Sequence, residues 1–205
     1  MKDIPVFSCT EGIATLLLRE VPTRGEGFVL VRAVFTELSA LLREGAAFCR
    51  AVGARRVYAS GEADFSAYPL YTCLVERSVA RSALPPAAAR AVPVAEAENA
   101  CWTALYNRRF AAVPAARSLS DAGGAYWVLD GEARIGLGRL SGDCLEAVAA
   151  LVPHRGADCV SALAECAQGE RLRLLCAREN LPAMRLYDRL GFSEGEVREC
   201  WYAVE

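Results

Sequence analysis

Residues 180–192 read NLPAMRLYDRLGF and carry the most information about the architecture of this chain. Asn180 can cap a helix, Pro182 suits a first helical turn, and Gly191 is typical of the residue that ends a helix. The stretch therefore predicts a helix that begins at Asn180 and ends before Gly191. These roles do not require Tyr187 to act chemically, so spacing alone favours a core or half-buried tyrosine.

The residues around this helix predict eight elements from residue 92 onward. In chain order these are a helix at 98–112, strands at 125–129, 134–140 and 144–152, a helix at 158–168, a strand at 172–176, the helix just described and a strand at 196–204. Strand–helix–strand order implies a parallel pair joined by a right-handed crossover, whereas hairpins are antiparallel. The predicted fold class is α/β (α+β), with a mixed, mostly antiparallel central sheet flanked by helices.

Residues 1–84 predict a smaller α/β half. Two strands, at 13–20 and 27–34, flank a turn-forming stretch and predict a β-hairpin. An amphipathic helix follows, and two further strands are expected at 56–59 and 72–79. Pro85-Pro86 continues neither a helix nor a central strand, so residues 85–91 are predicted to be a linker before a second domain at 92–205.

Composition narrows the class of protein. The chain has 205 residues, 54% of them apolar, and a formal net charge of -2 with a pI of about 5.6. This balance predicts a folded chain and disfavours a general nucleic-acid binder, which needs a large positive charge. No apolar run approaches the ~20 residues that span a bilayer, and no signal peptide is visible, so neither a membrane nor export is expected.

The cysteines predict neither a metal site nor a disulfide framework. All nine are scattered, none form a CxxC pair, and His154 is the single histidine. A zinc site is therefore not expected, and the cysteines are predicted to be reduced thiols in a cytoplasmic protein.

The stretch at 180–192 resembles the C-terminal signature of the GNAT superfamily, the acyl-CoA-dependent N-acyltransferases. The matching positions are Asn180, Ala183, Leu186, Tyr187, Gly191 and Phe192. The resemblance implies a GNAT-like domain at 92–205 and acetyl-CoA as co-substrate. It also implies a cleft where one strand splays from its parallel neighbour, with the pyrophosphate on the next helix N-terminus. Residues 1–84 are then a degenerate GNAT-like half or an unrelated α/β addition.

The loop at 152–159, VPHRGADC, has two readings from its residues alone. A glycine and an arginine at a helix N-terminus favour phosphate, but an ordinary strand-to-helix turn has the same composition. The resemblance places Arg155, Gly156 and Ala157 in the pyrophosphate loop, whose usual pattern is Q/R-x-x-G-x-G/A. Pro153 and Asp158 depart from that pattern, and Asp158 either repels the pyrophosphate or points away as a helix cap.

The resemblance also implies direct transfer of an acetyl group to a primary amine. Tyr187 matches the tyrosine that protonates the departing sulfur, and Asn180 is expected to orient cofactor or substrate. Glu146 is the candidate base, with a solvated edge carboxylate as the alternative reading. Backbone N–H groups that could stabilise the thioester carbonyl belong to Ala149, Ala150 and Leu151. His154 is read as a surface residue.

Three functions follow from these observations. The first is an N-acetyltransferase that acts on a small-molecule or peptide amine. The second is a catalytically silent GNAT-like module that binds an acyl-CoA or a protein partner, which the departures at Pro153 and Asp158 favour. The third, a CoA-independent metabolic enzyme, has no support from a GxGxxG, P-loop or paired-histidine motif.

Overall fold

The computed structural model describes residues 1–204, which divide into two compact units. Unit 1 consists of Met1–Cys73 together with the chain from Arg198 onward, and unit 2 consists of Leu74–Val197. Both boundaries fall inside strands, so each of these strands contributes residues to both units. The predicted linker, residues 85–91, lies within unit 2, as do the last residues of the segment predicted as the N-terminal half.

Unit 1 is an α/β unit that contains four complete strands and parts of two others. Its elements are β1 (Ile4–Cys9), β2 (Gly12–Leu17), α1 (Val21–Arg24), β3 (Glu26–Val34), α2 (Leu38–Ala51), β4 (Arg56–Gly61), the start of β5 (Leu70–Ala80) and the end of β11 (Ser193–Val204). Strands β1, β2 and β3 form an antiparallel meander. Helix α2 then leads to β4, which pairs in parallel with β3 and antiparallel with the end of β11.

The predicted hairpin and amphipathic helix of residues 1–84 are both present. Leu41, Leu42 and Cys49 face the sheet from α2 and are at most 1% exposed, as their three- and four-residue spacing predicts. Strand β1 was not predicted, because none of its side chains is fully buried and Pro5 interrupts its pattern. The short edge strand therefore shows no apolar alternation in the sequence.

A disulfide joins Cys73 to Cys200, two cysteines that are 127 residues apart in the chain. The prediction that all cysteines are reduced is therefore wrong for this pair. The two cysteines meet because the end of β11 returns to unit 1, which holds the start of β5. Local spacing does not reveal such a pairing.

Unit 2 contains a mixed, mostly antiparallel sheet flanked by helices, which confirms the predicted fold class. Its further elements are β6 (Arg90–Pro93), α3 (Asn99–Phe110), β7 (Ala125–Asp130), β8 (Ala133–Ser141), β9 (Cys144–Ala150), α4 (Gly156–Cys166), β10 (Arg171–Ala177) and α5 (Leu181–Arg189). The strand order is β5-β10-β9-β8-β7-β6, and the single parallel contact joins β9 to β10. The predicted Asp130-Gly131 hairpin joins β7 to β8, with Gly131 at a φ of 59°.

Helix α4 lies close against β8 because two glycines leave room for its side chains. A Cβ at Gly136 would lie 2.2 Å from the Cys159 sulfur, and one at Gly138 would lie 2.2 Å from Leu163 Cδ1. Cys159 and Leu163 are fully buried in the largest core cluster of unit 2. This contact fixes the helix that follows β9, and with it the loop at residues 151–155. No helix within residues 1–204 is long and apolar enough to cross a membrane.

Candidate active site

Strands β9 and β10 are in register at one position only. Cys144 aligns with Arg173, whereas β10 pairs with β5 at seven consecutive positions on its other side. For comparison, the parallel pair β3 and β4 in unit 1 stays in register over six positions. Strand β9 therefore diverges from β10 beyond Cys144 and leaves a gap within the sheet of unit 2.

A cavity of about 260 Å³ opens at this gap. Residues of both diverging strands, of α5 and of the segment after α3 form its walls. They include Leu145, Glu146, Ala147, Val148, Leu175, Cys176, Ala177, Asn180, Ala183 and Tyr187, together with Tyr106, Phe110 and the run from Val113 to Arg117. Three of the predicted site residues, Glu146, Asn180 and Tyr187, thus lie around one cavity.

Tyr187 is the best-defined polar group of the cavity. Its side chain is only 7% exposed and packs on Phe192, with 5.3 Å between ring centroids. Within residues 1–204 its hydroxyl has no hydrogen-bond partner, although a buried tyrosine hydroxyl usually finds one. Burial raises the pKa of Tyr187, so the phenol is protonated at neutral pH. The site therefore contains a protonated phenol on a buried ring, with its hydroxyl at the cavity.

Asn180 occupies the N-cap position of α5, but its carboxamide makes no capping hydrogen bond. The predicted side-chain cap is therefore wrong. The Asn180 carbonyl oxygen accepts a hydrogen bond from the Met184 N–H at 3.0 Å, so the backbone alone begins the helix. The side chain remains available at the cavity wall, which suits the predicted role in orienting a ligand.

Glu146 also lines the cavity and forms an ion pair with Arg139. The distance between Glu146 Oε2 and Arg139 Nε is 2.9 Å, and the glutamate side chain is 41% exposed. The carboxylate thus combines features of both readings, since it borders the cavity and is partly solvated. Arg139 on β8 binds one of the two carboxylate oxygens and thereby orients the carboxylate toward β8.

The three backbone N–H groups predicted to stabilise the thioester carbonyl are not equally free to donate a hydrogen bond to a ligand. The Leu151 N–H donates to Ile135 O at 2.8 Å, so this amide is committed to β8. Because alternate residues of a strand direct their N–H groups to the same side, Ala149 also faces β8. Ala150 is the one of the three whose N–H faces the gap between β9 and β10. The predictions for Ala149 and Leu151 are corrected accordingly.

Arg155 lies at the start of α4 between two carboxylates. Its NH2 group is 2.9 Å from Asp130 Oδ2, and its Nε donates to Asp158 Oδ2. These hydrogen bonds, with Asp158 as the largest cause and Asp130 next, raise the pKa of Arg155. Asp158 therefore binds the arginine of its own loop, and the N-cap position belongs to Arg155, without a side-chain cap.

Gly156 has a packing reason that involves α5. A Cβ at this position would lie 2.9 Å from Leu186 Cδ2, so a larger residue would require the Leu186 side chain to move. Gly156, Ala157 and Asp158 are half-buried in the first turn of α4, outside the walls of the cavity. His154 precedes them in an exposed turn, with a φ of 65°.

The aromatic side of the cavity comes from α3, which the sequence predicts as a helix at 98–112. Tyr106 stacks on Phe110 with 4.5 Å between ring centroids. Asn107 fixes the segment after the helix, because its carboxamide exchanges two hydrogen bonds with the Leu119 backbone at 3.0 and 2.8 Å. The i, i+4 spacing of Trp102, Tyr106 and Phe110 was the available signal, and core packing explained it equally well.

Comparison with solved structures identifies the fold. The chain resembles a conserved protein of unknown function from Staphylococcus epidermidis at a TM-score of 0.61 and 9% identity, covering 97% of this chain and 92% of that one. It resembles a GCN5-related N-acetyltransferase from Anabaena variabilis at 0.54 and 11%, covering 87% and 56%. A probable N-acyltransferase from Enterococcus faecalis matches at 0.50 and 12%, covering 94% and 58%.

These likenesses show that the chain has the fold of GNAT-type acetyltransferases. It spans just over half the length of the Anabaena and Enterococcus proteins. No protein-family model matches the chain, and no curated protein matches it.

Proposed function

We propose that unit 2 is an N-acyltransferase that moves an acetyl group from a thioester to a primary amine of a small molecule or peptide. The observation that carries the proposal is Tyr187, whose ring is buried and whose protonated hydroxyl has no hydrogen-bond partner within residues 1–204 and lies at the cavity beside the gap between β9 and β10. Acyl transfer from a thioester needs such a donor, because the departing thiolate must receive a proton or a hydrogen bond.

Two further groups of the chain complete the chemistry. Glu146 accepts the proton that the attacking amine loses, directly or through water, from its position on β9. The Ala150 N–H faces the gap and stabilises the charge that develops on the carbonyl oxygen. A C–N bond forms and a C–S bond breaks, while Tyr187 gives its proton to sulfur and Glu146 receives one from nitrogen.

Acetyl-CoA, the predicted donor, fits this chain at one end only. The cavity beside Tyr187 is lined by small and apolar residues, including Ala147, Ala177 and Ala183, and suits a thioester and its arm. The start of α4 does not fit a diphosphate, because two carboxylates engage Arg155 there. The proposed steps therefore use Tyr187 and Glu146 at the cavity and the Ala150 N–H on β9, and none of them uses the start of α4.

Replacing Tyr187 by phenylalanine tests the proposal. Thiol release from acetyl thioesters, measured against a panel of primary amines, should fall by about tenfold to a thousandfold in kcat with little change in KM for the thioester. Tyr126→Phe, on β7 and outside the cavity walls, is the matched control and should retain full turnover. Equal rates for the Tyr187 variant and the parent protein would remove this residue from the mechanism.

A catalytically silent binding module is the second candidate, and the arrangement around Arg155 favours it. Such a module would be stabilised by acyl-CoA or a protein partner without releasing thiol. A ligand at 100 times its Kd raises the free energy of unfolding by about 2.7 kcal/mol. Stabilisation by a thioester with no turnover on any amine would select this function.

A further inference from the structure

We propose that the thioester donor of this chain is an acylated pantetheine arm that places no diphosphate on the start of α4. The inference rests on the proposed acyl transfer and specifies its donor. It is carried by the position of Arg155, the one arginine of the loop between β9 and α4, between Asp130 and Asp158.

The local charge opposes a diphosphate. One guanidinium faces two carboxylates, so the net formal charge of the group is negative. The side chains of Arg155 and Asp158 are 27% and 30% exposed, which screens them less than a fully solvated pair. A diphosphate at this place would meet both carboxylates and compete with them for the same guanidinium.

Asp158 also occupies the electrostatic position that an anion would take. The N-terminus of a helix carries about +0.5 of an elementary charge, and an acidic side chain in the first turn is stabilised by it. Asp158 is the acidic residue of the first turn of α4. The preference of this helix for a negative charge is therefore met by the chain itself.

The presence of glycine at position 156 does not indicate phosphate binding either. In a diphosphate loop, glycine allows the backbone to approach the ligand closely. Here the space beside Gly156 is taken by Leu186, whose Cδ2 lies 2.9 Å from where a Cβ would be. The glycine that matches the diphosphate pattern is explained by the packing of α4 against α5.

The thioester end of the site is separate from this charged group. None of Asp130, Arg155 and Asp158 lines the cavity that contains Tyr187. The walls of that cavity are largely small and apolar, so they accept an uncharged arm. The cavity can therefore bind the thioester and its pantetheine arm without any contact between a diphosphate and the start of α4.

A series of thioester donors with increasing phosphate charge tests the inference. The probes are S-acetylpantetheine with no phosphate, S-acetyl-4′-phosphopantetheine with one, and acetyl-CoA, each assayed for kcat/KM at low ionic strength. We expect S-acetylpantetheine to be at least as efficient as acetyl-CoA. Added salt should raise the relative efficiency of acetyl-CoA, because the repulsion is screened. A tenfold preference for acetyl-CoA in the parent protein would overturn the inference.

The double variant Asp130→Asn, Asp158→Asn gives the second arm. The ratio of acetyl-CoA to S-acetylpantetheine efficiency should rise at least tenfold, since both carboxylates lose their charge. Glu132→Gln removes an exposed carboxylate next to the same hairpin turn and should change this ratio less than twofold. An unchanged ratio in the double variant would contradict the inference.

Binding separates this inference from the proposed function. If no thioester is turned over in a Tyr187-dependent way, the acyltransferase proposal fails. Thermal-shift titrations with pantetheine and CoA, both as free thiols, then still report on the donor. Stabilisation by pantetheine equal to that by CoA supports the inference. Stronger stabilisation by CoA than by pantetheine overturns the inference, and so does the absence of stabilisation by either compound.

Discussion

Tyr187 combines a packing role in the core with the chemical role proposed above. Its ring is buried against Phe192 in the core of unit 2, as the spacing of the helix predicts. Its hydroxyl faces the cavity without a partner in residues 1–204. The sequence left a core tyrosine and an acid as alternatives, and the structure shows that the two descriptions are compatible.

Glu146→Gln should lower kcat for acetyl transfer by about tenfold to a hundredfold, at the low end of what general bases contribute, because water can reach this half-exposed site. The measurement is thiol release at saturating donor and amine. Glu132→Gln removes a carboxylate outside the cavity and serves as the control. A Glu146 variant with the turnover of the control would assign this residue to the Arg139 ion pair alone.

The positions of single residues follow from the sequence where the deciding elements are close in the chain, although the side-chain cap predicted for Asn180 is absent. Asn180 and Tyr187 share one helix, so their common position at a cavity follows from that helix and its neighbours. Arg155 binds Asp130, which lies across a hairpin and a strand. No pattern around residue 155 indicates that partner. The sequence therefore predicted the negative charge of Asp158 in this loop but not that of Asp130.

At the scale of elements, α5 is held by a strand that the sequence assigned to the other half. Arg77 on β5 is 4% exposed, and its NH2 group donates to Phe192 O at 2.9 Å and to Asp188 at 2.6 Å. These bonds join β5 to the end of α5, next to Tyr187. The orientation of the signature helix therefore depends on a residue outside the signature.

Arg77→Met should lower the free energy of unfolding by about 1–3 kcal/mol, because the Phe192 carbonyl loses its buried donor. Asp188→Asn should cost less than about 1 kcal/mol, since Asp188 is 60% exposed and water can replace the arginine. Urea denaturation of both variants measures the difference. Equal costs would mean that the ion pair, and not the carbonyl, carries the contribution of Arg77.

Helices and strands were predicted well where their signals are periodic, and less well at edges. Helices α3 and α5 begin and end within about two residues of the predicted positions, because caps and apolar spacing are local. Strands β1 and β6 were missed, since short edge strands bury few side chains. Residues Leu74–Ala80 of β5 belong to unit 2 and pair with β10, which lies some hundred residues later in the chain.

At the scale of the whole molecule, one covalent bond closes a very long loop. Cys73 and Cys200 enclose all of unit 2 between them in the sequence. A cross-link of this span restricts the unfolded chain strongly, because the entropy of loop closure grows with loop length.

Reducing this disulfide should lower the free energy of unfolding by about 4–5 kcal/mol, the loss expected for a loop of more than 100 residues. Urea denaturation with and without reductant measures it, and Cys73→Ala, Cys200→Ala should reproduce the reduced value. Cys101→Ser, at an exposed free cysteine, should leave the stability unchanged. No response to reductant would show that the bond contributes little.

Alkaline pH should also destabilise the protein through its buried thiols. Burial raises the pKa of Cys49, Cys159 and Cys176 to about 11, above the ordinary value of 9.0. The unfolded chain therefore loses these protons first, and stability falls as pH rises from about 9 to 11, by about 2 kcal/mol per thiol. Denaturation at a series of pH values, with Cys176→Ala as the comparison, measures the slope.

Strands β5 and β11 each contribute residues to both units, and this limits where the chain can be cut into fragments that fold. A fragment that begins at the predicted linker would lack Leu74–Ala80, leaving β10 with an unpaired edge and Asp188 without Arg77. A fragment that stops at that linker would lack the strand that pairs with β4. Chimeras and truncations of this protein must therefore preserve both ends of the chain, since neither half encodes all of its own sheet.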